Sequence, residues 1–309
     1  MTKKIVKPLF KYIGGKSWLR NELSIELNKI LAFNPKLDTY VEPFAGGLGA
    51  FLGIYETLIQ YNVKNVILAD INLGLINLYG HIYKEKDALI ENTISIERNF
   101  LNFIPDNIKN INDKIEIKNL LRGAEQFFKE IRKDFNHHKN ENTIIQSSRL
   151  IFLQKHSFNG VYRENSRGEY NTPFNWSGSS MLGTIENRVN ELFDVFNLFN
   201  IQFITDSYQK IDYSINSVYY LDPPYINEQI IENKYNKDSF DLKEQLSLIE
   251  AIKNLNFIYS NHYSEVLIKE LKSNPNIDIK KIPRKNIMSS NAETRKTDKF
   301  EMLATNLNH

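Results

Sequence analysis

The segment VYYLDPPYIN, residues 218–227, places an acid, two prolines and an aromatic ring directly after a short apolar run. Val, Tyr and Leu favour β structure, so the run predicts a short buried strand. Proline has no amide N–H and a fixed φ, so Pro223 and Pro224 should end the strand pairing. The carbonyls near the break are then released from strand pairing and can point to other groups. The Asp222 carboxylate lies at one end of this segment and the Tyr225 ring at the other. The segment is either a site built from hydrogen-bond acceptors or only a strand followed by a proline turn.

A second candidate site is a glycine turn in the segment YVEPFAGGLGAF. Gly46, Gly47 and Gly49 lie between a predicted strand, residues 39–44, and a predicted helix, residues 48–59. Glycine permits positive φ and lets a ligand approach the backbone closely. Open α/β sheets bind ligands at the edge where such turns lie, so the glycines indicate a ligand site. The alternative is a tight strand-to-helix turn with no ligand.

An acid follows this turn at a spacing that suits a ribose. Asp70 ends a second predicted strand, residues 65–72, about 20 residues after the turn, where an acid holds ribose hydroxyls in nucleotide-binding folds. The glycines do not fit G-x-G-x-x-G, because Leu52 stands at the third position counted from Gly47. A dinucleotide is therefore disfavoured, and S-adenosylmethionine, which has adenosine but no phosphate, fits better.

The segment FKYIGGKSW, residues 10–18, resembles the end of a phosphate-binding P-loop. That loop requires a glycine where Phe10 stands and a strand before it, and both are missing. Nucleotide hydrolysis is disfavoured, and Lys16 is expected to face a carboxylate.

The bulk composition limits the classes of chemistry. The chain has 309 residues, of which 41% are hydrophobic and 25% charged, as in a soluble globular protein. It contains no cysteine, which excludes disulfides, thiolate zinc sites and a cysteine nucleophile. The six histidines lack metal-ligand spacing, so no metal is expected. The N-terminus has no apolar signal region, and neither export nor membrane insertion is expected.

Alternation of strands and helices predicts an α/β sheet. Further strands are expected at residues 201–208, 217–222, 256–262, 277–283 and 300–307, with a helix at residues 241–254. Amphipathic helices are expected at residues 124–135 and 147–158. We therefore predict a discontinuous catalytic domain, residues 1–72 and 196–309, with a mainly helical target-recognition domain, residues 73–195, inserted between its halves.

Six segments together resemble the Dam-type DNA adenine-N6 methyltransferases, which carry a D-P-P-Y motif. In chain order they are KYIGGK, YVEPFAGGLGAF, ILADINLGLINLY, FNGVYRENSRGEYNTPF at residues 158–174, YLDPPY, and SSNAETRK at residues 289–296. The resemblance covers nearly the whole chain. It implies a Rossmann-like sheet that binds S-adenosylmethionine, and an inserted domain that carries a DNA-reading β-hairpin.

The resemblance also explains the chemistry of the acid and the prolines. The exocyclic nitrogen of adenine is a weak nucleophile because its lone pair is delocalised into the ring. If Asp222 and a carbonyl of the proline segment accept both amino hydrogens, the nitrogen can pyramidalise towards the methyl donor. Tyr225 would stack on the base after its extrusion from the duplex. Residues 222–225, with Pro223 and Pro224 holding the carbonyl, are thus the expected catalytic residues.

The resemblance assigns other residues to the cofactor and to DNA. The expected cofactor contacts are Tyr12, Lys16, Glu42, Phe44, Gly46, Asp70 and Asp222. The expected DNA contacts are Lys11, Phe158, Asn159, Arg163, Arg167, Pro173 and Arg295. Phe158 is expected to act as an aromatic wedge in the duplex, and arginine suits base reading because its guanidinium pairs with guanine O6 and N7.

The chain departs from the family pattern in two places. Tyr12 stands where the family often has Trp, and NWSGSSMLG follows residues 173–174 in place of a basic continuation. A GATC-like target is expected, with the outer base contacts left open. The expected substrate is double-stranded DNA, the expected state a monomer, and the expected location the cytoplasm of a bacterial or phage-infected cell. A cognate restriction endonuclease is a further candidate partner.

Alternative functions remain at this point. Cytosine-C5 methylation is excluded because it needs a cysteine nucleophile. Cytosine-N4 methylation uses the same exocyclic-amine chemistry and stays open. Methylation of a protein glutamine typically uses Asn where Asp222 stands. A catalytically silent DNA-binding protein of the same fold is the alternative outside the enzymes.

Overall fold

The computed structural model describes residues 5–12, 14–214, 216–225, 240–284 and 299–307. The chain divides into two compact units, a helical unit and a sheet unit. The helical unit consists of residues 1–18, 46–52 and 72–199, and the sheet unit of residues 19–45, 53–71 and 200–309. No helix in the described ranges is long and apolar enough to cross a membrane.

The sheet unit contains a mixed sheet, which has seven strands in the described residues. The strands are β1 (Thr39–Glu42), β2 (Asn65–Asp70), β3 (Asn200–Thr205), β4 (Ser217–Leu221), β5 (Asn256–His262), β6 (Ile277–Arg284) and β7 (Lys299–Asn306). Their order across the sheet is β3-β2-β1-β4-β5-β7-β6. Strands β1 to β5 pair in parallel, whereas β7 lies antiparallel between β5 and β6. The predicted α/β sheet is confirmed.

Ten α-helices occur in the described part of the chain. They are α1 (Arg20–Phe33), α2 (Phe51–Gln60), α3 (Leu73–Lys84), α4 (Lys86–Leu101), α5 (Lys114–Leu120), α6 (Arg122–His137), α7 (Ile144–His156), α8 (Ile185–Phe196), α9 (Leu242–Ile252) and α10 (Glu265–Leu271). Helices α3 to α8 belong to the helical unit, and α1, α9 and α10 to the sheet unit. The predicted helices correspond to α2, α6, α7 and α9, with bounds that differ by a few residues.

The central strands form where the chain is continuously apolar. Every residue of β4 is buried, and β5 is buried from Asn256 to Asn261. Such runs are typical of parallel strands that are covered on both faces. The buried cluster on these strands includes Tyr219, Leu221 and Phe257, and it continues onto Leu248 of α9. The core therefore fixes the ends of β4 and β5, where polar residues begin.

The strand order reverses at the centre of the sheet. Strand β1 pairs with β2 on one side and with β4 on the other. The chain therefore builds the sheet outwards from β1 twice, first through β2 and β3 and then, on the other side, from β4 onwards. In open α/β sheets, ligands bind outside the carboxyl ends of the strands at such a switch point. Glu42 ends β1, Asp70 ends β2, and Asp222 directly follows β4. Three carboxylates thus lie at the carboxyl ends of three neighbouring strands.

The helical unit has an aromatic core of its own. The ring of Phe100 packs against Phe152 and Phe174, with centroid distances of 5.2 Å and 6.1 Å. Beside them, the buried side chains of Glu97 and His156 are joined by a 2.7 Å contact. Glu97 also accepts a hydrogen bond from the Met181 amide. These contacts tie helices α4 and α7 to the segment that follows the predicted DNA-reading hairpin.

A buried ion pair joins helix α1 to strand β6. The side chain of Glu26 is 1% exposed, and its carboxylate lies 2.6 Å from Lys280 Nζ and 3.0 Å from Lys29 Nζ. Burial alone would raise the pKa of Glu26, but hydrogen bonds and charges from Lys280 and Lys29 outweigh it and lower the pKa. We expect Lys280→Met to lower the free energy of unfolding by about 1–3 kcal/mol at neutral pH, since a buried carboxylate loses a partner.

The pH dependence of this loss follows from the lowered pKa of Glu26. Its contribution is present above the unfolded-state pKa of about 4.3 and is lost as the pH falls through the lower folded-state pKa. Urea denaturation should therefore show a difference between wild type and Lys280→Met that shrinks below about pH 4. Lys253→Met is the control, because the Lys253–Glu250 pair is exposed and should contribute less than about 1 kcal/mol. Equal losses in the two variants would contradict the assignment.

Candidate active site

Strand β4 stops directly before the predicted catalytic segment. Its last paired residue is Leu221, which lies opposite Tyr259 of β5. Residues 222–225 follow without strand structure. The prolines therefore end the strand as predicted, and they place Asp222 at the carboxyl end of a central strand.

The Asp222 carboxylate is held by a serine of the neighbouring strand. Ser260 Oγ donates to Asp222 Oδ1 over 3.0 Å, and the Tyr220 hydroxyl lies 2.7 Å from the same Oγ. An ionised carboxylate only accepts, so Ser260 gives its one proton to Asp222 and accepts from Tyr220. Burial raises the pKa of Tyr220 well above its ordinary value, and the charge of Asp222 adds to the rise. Tyr220 therefore keeps the proton that this chain of donors requires.

The Tyr225 ring is held by two side chains of the sheet unit. Its hydroxyl donates to the carboxylate of Glu301, a fully buried residue of β7. Its ring packs against His262 of β5, with centroids 4.1 Å apart and planes tilted by 50°. His262 and Glu301 are direct partners in the sheet register. One backbone pairing thus positions both groups that orient the ring.

Glu42 lies at the carboxyl end of β1 in a buried polar setting. It is 2% exposed, and its Oε2 accepts a 2.7 Å hydrogen bond from the Tyr40 hydroxyl. Burial raises the pKa of Tyr40 well above its ordinary value, and the charge of Glu42 adds to this. The phenol therefore remains a donor that orients the carboxylate at the strand end.

Asp70 ends β2 on the other side of β1. The turn after β1 is tied to this end, because the Ala45 amide donates to the Ala69 carbonyl over 2.9 Å. The next residue, Ile71, is 78% exposed. An exposed large aliphatic side chain beside an acid at a strand end gives this edge both an apolar surface and hydrogen-bond acceptors. This is the combination that an adenosine group requires.

Phe44 follows β1 and belongs to an aromatic cluster. Its ring packs against Tyr208 at 5.5 Å and edge-on against Phe240 at 5.6 Å. The structure thus brings Glu42, Phe44 and Asp70 together with Asp222 in the sheet unit, around the carboxyl ends of adjacent strands.

In the helical unit, the two glycine-containing segments pack against each other. A Cβ on Gly47 would lie 2.6 Å from the Cβ of Tyr12, and one on Gly46 would lie 3.0 Å from the Tyr12 ring. Gly46 also has a φ of +45°, and its carbonyl accepts from the Tyr79 hydroxyl over 2.6 Å. The close approach that these glycines permit is therefore made by Tyr12 itself. Lys16 is buried, and its Nζ donates to the Gly14 carbonyl over 3.0 Å.

The predicted DNA-reading segment forms an irregular hairpin in the helical unit. Backbone pairing joins Ser157 to Phe174 and Glu164 to Tyr170. A further bridge pairs Lys11 with Val161, so Lys11 lies beside the hairpin. Helix α6 supports the hairpin, because Arg132 donates to the Thr172 carbonyl and Asn136 both donates to the Tyr170 carbonyl and accepts from the Tyr170 amide.

The tip and the base of the hairpin present the predicted DNA contacts. Phe158 is 56% exposed, and its backbone amide donates to the Pro173 carbonyl. It lies at a tight turn in which Asn159 has a φ of +58°. Arg163 donates from Nε and Nη2 to the side chain and the backbone of Asn171. These bonds orient the exposed guanidinium of Arg163.

Arg167 is 77% exposed and pairs with Glu169 at 3.0 Å in the hairpin turn. Arg295, together with the segment 289–296, lies outside the described residues.

Several residues of the site were not predicted from the sequence. Ser260, His262 and Glu301 hold the catalytic segment, and Ile71 supplies the exposed apolar surface beside Asp70. The available signal was the polar run Ser260–His262 at the carboxyl end of an otherwise apolar strand. Within the described ranges, no group of three or more His, Asp or Glu side chains could hold a metal ion.

Comparison with known proteins identifies the family. The sequence profile of the D12 class of N6 adenine-specific DNA methyltransferases matches residues 12–297. A type II methyltransferase, M.MjaIII of Methanocaldococcus jannaschii, is 29% identical over 97% of this chain and 99% of its own length. The DNA adenine methylase of Escherichia coli K12 is 26% identical over 94% of this chain and 92% of its own length. The DNA adenine methylase of Haemophilus influenzae is 27% identical over 83% of this chain and 79% of its own length.

These matches cover both units of the chain and confirm the resemblance carried by the six segments. They also decide between the amine-methylating alternatives, because the matching class is adenine-specific. The chain therefore belongs to the D12 class of N6 adenine-specific DNA methyltransferases, enzymes that methylate adenine N6 in DNA.

Proposed function

We propose that the methyl donor is S-adenosylmethionine, that the target adenine is extruded from double-stranded DNA, and that the target site is GATC-like. The observation that carries the proposal is the position of Asp222. It lies at the switch point of the sheet, oriented by Ser260 and next to the strand ends that carry Glu42 and Asp70. Catalytic and cofactor groups of one reaction would then lie on adjacent strands.

The side chains at the β1 and β2 ends suit the cofactor. Asp70 is proposed to accept from the ribose hydroxyls, and Ile71 offers its exposed aliphatic surface to the adenine. Glu42 and Phe44 are proposed to complete this set. S-adenosylmethionine, when bound, supplies an electrophilic methyl group. The roles of Tyr12, Lys16 and Gly46 as cofactor contacts stay predictions from the family resemblance.

Asp222 is proposed to accept one hydrogen of the adenine amino group, while a carbonyl of the Pro223–Pro224 segment accepts the other. With both hydrogens held, the lone pair can turn out of conjugation with the ring. The positive charge that develops on the nitrogen is stabilised by the carboxylate, so the interaction strengthens towards the transition state. Ser260 contributes by fixing the carboxylate before the base arrives.

Tyr225 is proposed to stack on the extruded adenine. Extrusion costs roughly a few kcal/mol, and stacking on an aromatic ring recovers about 1–3 kcal/mol per base. The Glu301 hydrogen bond and the His262 contact hold the ring in one orientation, so little freedom is lost on stacking.

The helical unit is proposed to read the DNA, and the target-recognition domain at residues 73–195 stays a prediction from the sequence. Lys11 lies beside the hairpin, and the exposed Phe158 is proposed to insert into the duplex. The strained turn at Asn159 and the backbone bond to Pro173 set the position of Phe158. Arg163 is proposed to contact a guanine, and the roles of Arg167 and Arg295 in DNA binding stay predictions.

Replacing Arg163 with alanine should separate base reading from phosphate binding. If the guanidinium reads a guanine, Arg163→Ala should relax discrimination at one position by about 1–3 kcal/mol. If it contacts phosphate, binding should weaken on all sequences and the salt slope should fall by about one unit. Methylation of single-base variants of the site, measured at several salt concentrations, distinguishes these results. Arg122→Ala is the matched control, since this exposed arginine of α6 bonds only to Asn119 among the described residues. If the sequence preference and the salt slope of Arg163→Ala both match wild type, Arg163 does not contact the DNA.

The decisive test of the proposed function is expression in a strain that lacks DNA methylation. Mass spectrometry of nucleosides should show N6-methyladenine, and single-molecule sequencing should map it to one short site. N4-methylcytosine as the main product, or no methylated base despite cofactor binding, would contradict the proposal. A map without GATC-like sites would change the specificity alone. The same map shows which sites a cognate restriction endonuclease would find protected, and sedimentation of the purified protein tests the expected monomer.

A further inference from the structure

The catalytic segment has unusually few backbone donors. Pro223 and Pro224 both lack an amide N–H, so this part of the turn cannot be anchored by its own amides. Its carbonyls and side chains are the groups that remain for attachment. Ser260 holds the Asp222 end and Glu301 holds the Tyr225 end. The middle of the turn is held by a different residue, Gln245.

Gln245 is a fully buried residue of α9. Its Nε2 donates to the Pro224 carbonyl over 2.7 Å, and its Oε1 accepts from the Tyr259 hydroxyl over 2.5 Å. Tyr259 in turn accepts from Asn261 Nδ2 over 3.1 Å. All four residues belong to the sheet unit.

The direction of every hydrogen bond in this chain is determined. A carbonyl only accepts, so the amide nitrogen of Gln245 must face Pro224, and its oxygen must face Tyr259. The Tyr259 hydroxyl must then donate, which leaves its oxygen to accept from Asn261. Burial raises the pKa of Tyr259, so the phenol keeps its proton. The three side chains therefore form a polarised chain of donors that ends on the catalytic turn.

Both the nitrogen and the oxygen of the Gln245 side-chain amide are hydrogen-bonded, which the packing of α9 alone does not require. An apolar residue of similar size would fill the same space without needing two partners, but it would leave the buried Tyr259 hydroxyl without its acceptor, which carries a penalty. The position of Gln245 therefore couples the helix to the geometry of the turn. Tyr259 and Ser260 are consecutive residues of β5, so their side chains point to opposite faces of the sheet. Gln245 and Ser260 therefore hold the turn from opposite faces.

We propose that Gln245 is a positioning residue of methyl transfer, which fixes the turn between Asp222 and Tyr225 by holding the Pro224 carbonyl. This inference rests on the proposed function, because the turn is proposed to present the acceptors of the adenine amino group. A displacement of about 1 Å in a positioned group can lower the rate of the chemical step by about 100-fold. The effect should appear in the chemical step and not in the binding of cofactor or DNA.

Two variants test this role. Gln245→Met removes both hydrogen-bonding ends at similar length. Gln245→Glu keeps the shape and the acceptor for Tyr259, but its ionised carboxylate has no donor for the Pro224 carbonyl. The introduced carboxyl regains that donor when it is protonated. Gln146→Met is the matched control, because Gln146 is also a buried glutamine that donates to a backbone carbonyl, that of Phe135, in the helical unit.

The measurement is the single-turnover rate at saturating cofactor and DNA over a range of pH, with melting temperature and cofactor affinity measured alongside. Gln245→Met should lower the rate by about 10- to 100-fold at every pH. Gln245→Glu should be similarly slow at high pH, and its rate relative to wild type should rise several-fold as the pH falls. Gln146→Met should keep the wild-type rate. A rate loss in Gln245→Glu that is independent of pH, or wild-type rates in both variants, would overturn the proposal.

A second readout does not depend on methylation. Hydrogen exchange of the Asp222 and Tyr225 amides, the exchangeable backbone amides of residues 222–225, should be faster in Gln245→Met than in wild type and unchanged in Gln146→Met. If the wild-type protein methylates no duplex DNA, the proposed function fails, and this exchange measurement alone decides whether Gln245 fixes the turn. Equal exchange in all three proteins would reject the positioning role.

Discussion

Replacing Asp222 with asparagine is expected to lower the single-turnover rate of adenine methylation by about 100- to 1,000-fold, the range seen when one preorganised electrostatic group is lost. The structure gives a specific reason. Tyr220 donates to Ser260, so the Ser260 proton points at Oδ1 of residue 222. If Tyr220 continues to donate to Ser260, the asparagine turns its oxygen towards this proton, which places its NH₂ group where the second carboxylate oxygen stood. A donor would then face the amino group of adenine, and the charge would be lost as well.

The affinity for DNA should change little in this variant, because the interaction grows as charge develops on the reacting nitrogen. Asp222→Ala, which removes the acceptor altogether, should be at least as slow. Cofactor affinity must be measured separately, since Asp222 is also a proposed cofactor contact. Asp278→Asn is the control, because Asp278 is an exposed aspartate of β6 in the same unit. An Asp222→Asn protein that is folded and methylates at the wild-type rate would exclude the carboxylate from catalysis.

Much of the fold could be predicted because buried parallel strands leave a simple signal. Strands β1, β2 and β4 are short apolar runs that end at or directly before an acid, whereas β5 ends in the polar run Ser260–His262. Each of the four begins and ends within a few residues of its predicted bounds. The prolines after β4 also predict the end of the strand, since they have no amide N–H to donate to a neighbouring strand. The position of Asp222 at a strand end follows from these local features alone.

The groups that hold the site could not be predicted in the same way. Ser260 is 38 residues from Asp222, and Glu301 is 76 residues from Tyr225. Such contacts depend on which strands are neighbours and on their register, and a pattern within one segment contains neither. Gln245 illustrates the limit, because on an amphipathic helix a single polar residue at a buried position has no local reason to contact the Pro224 carbonyl.

The glycine turn shows a different limit. The sequence predicts room for a ligand at Gly46 and Gly47, and the structure places the Tyr12 side chain against both glycines. Both explanations predict the same residue at these positions, since a Cβ would meet an obstacle in either case. The type of residue can reveal that space is required but not which group occupies it.

The second large effect is expected at Asp70. Replacing it with alanine should weaken the binding of S-adenosylmethionine by at least about 100-fold, since a carboxylate that accepts from two ribose hydroxyls loses two charge-assisted hydrogen bonds of about 1.5–3 kcal/mol each. Asp70 ends β2 at the switch point of the sheet, and the exposed Ile71 beside it offers an apolar surface. Asp70→Asn should fall between alanine and wild type, because it keeps one acceptor oxygen without the charge.

Isothermal titration of the cofactor into the folded variants measures this loss directly, and it requires no DNA. The matched control is Asp206→Ala. Asp206 follows the end of β3, the strand that pairs with β2, but its carboxylate is engaged by Lys210 at 3.0 Å. If strand-end aspartates acted only by stabilising the sheet, both alanine variants would bind the cofactor like wild type once folded. If Asp70 holds the ribose, only Asp70→Ala loses affinity, and its DNA binding measured without cofactor stays at the wild-type level. Unchanged cofactor affinity in a folded Asp70→Ala protein would therefore remove the acid at the end of β2 from the cofactor site.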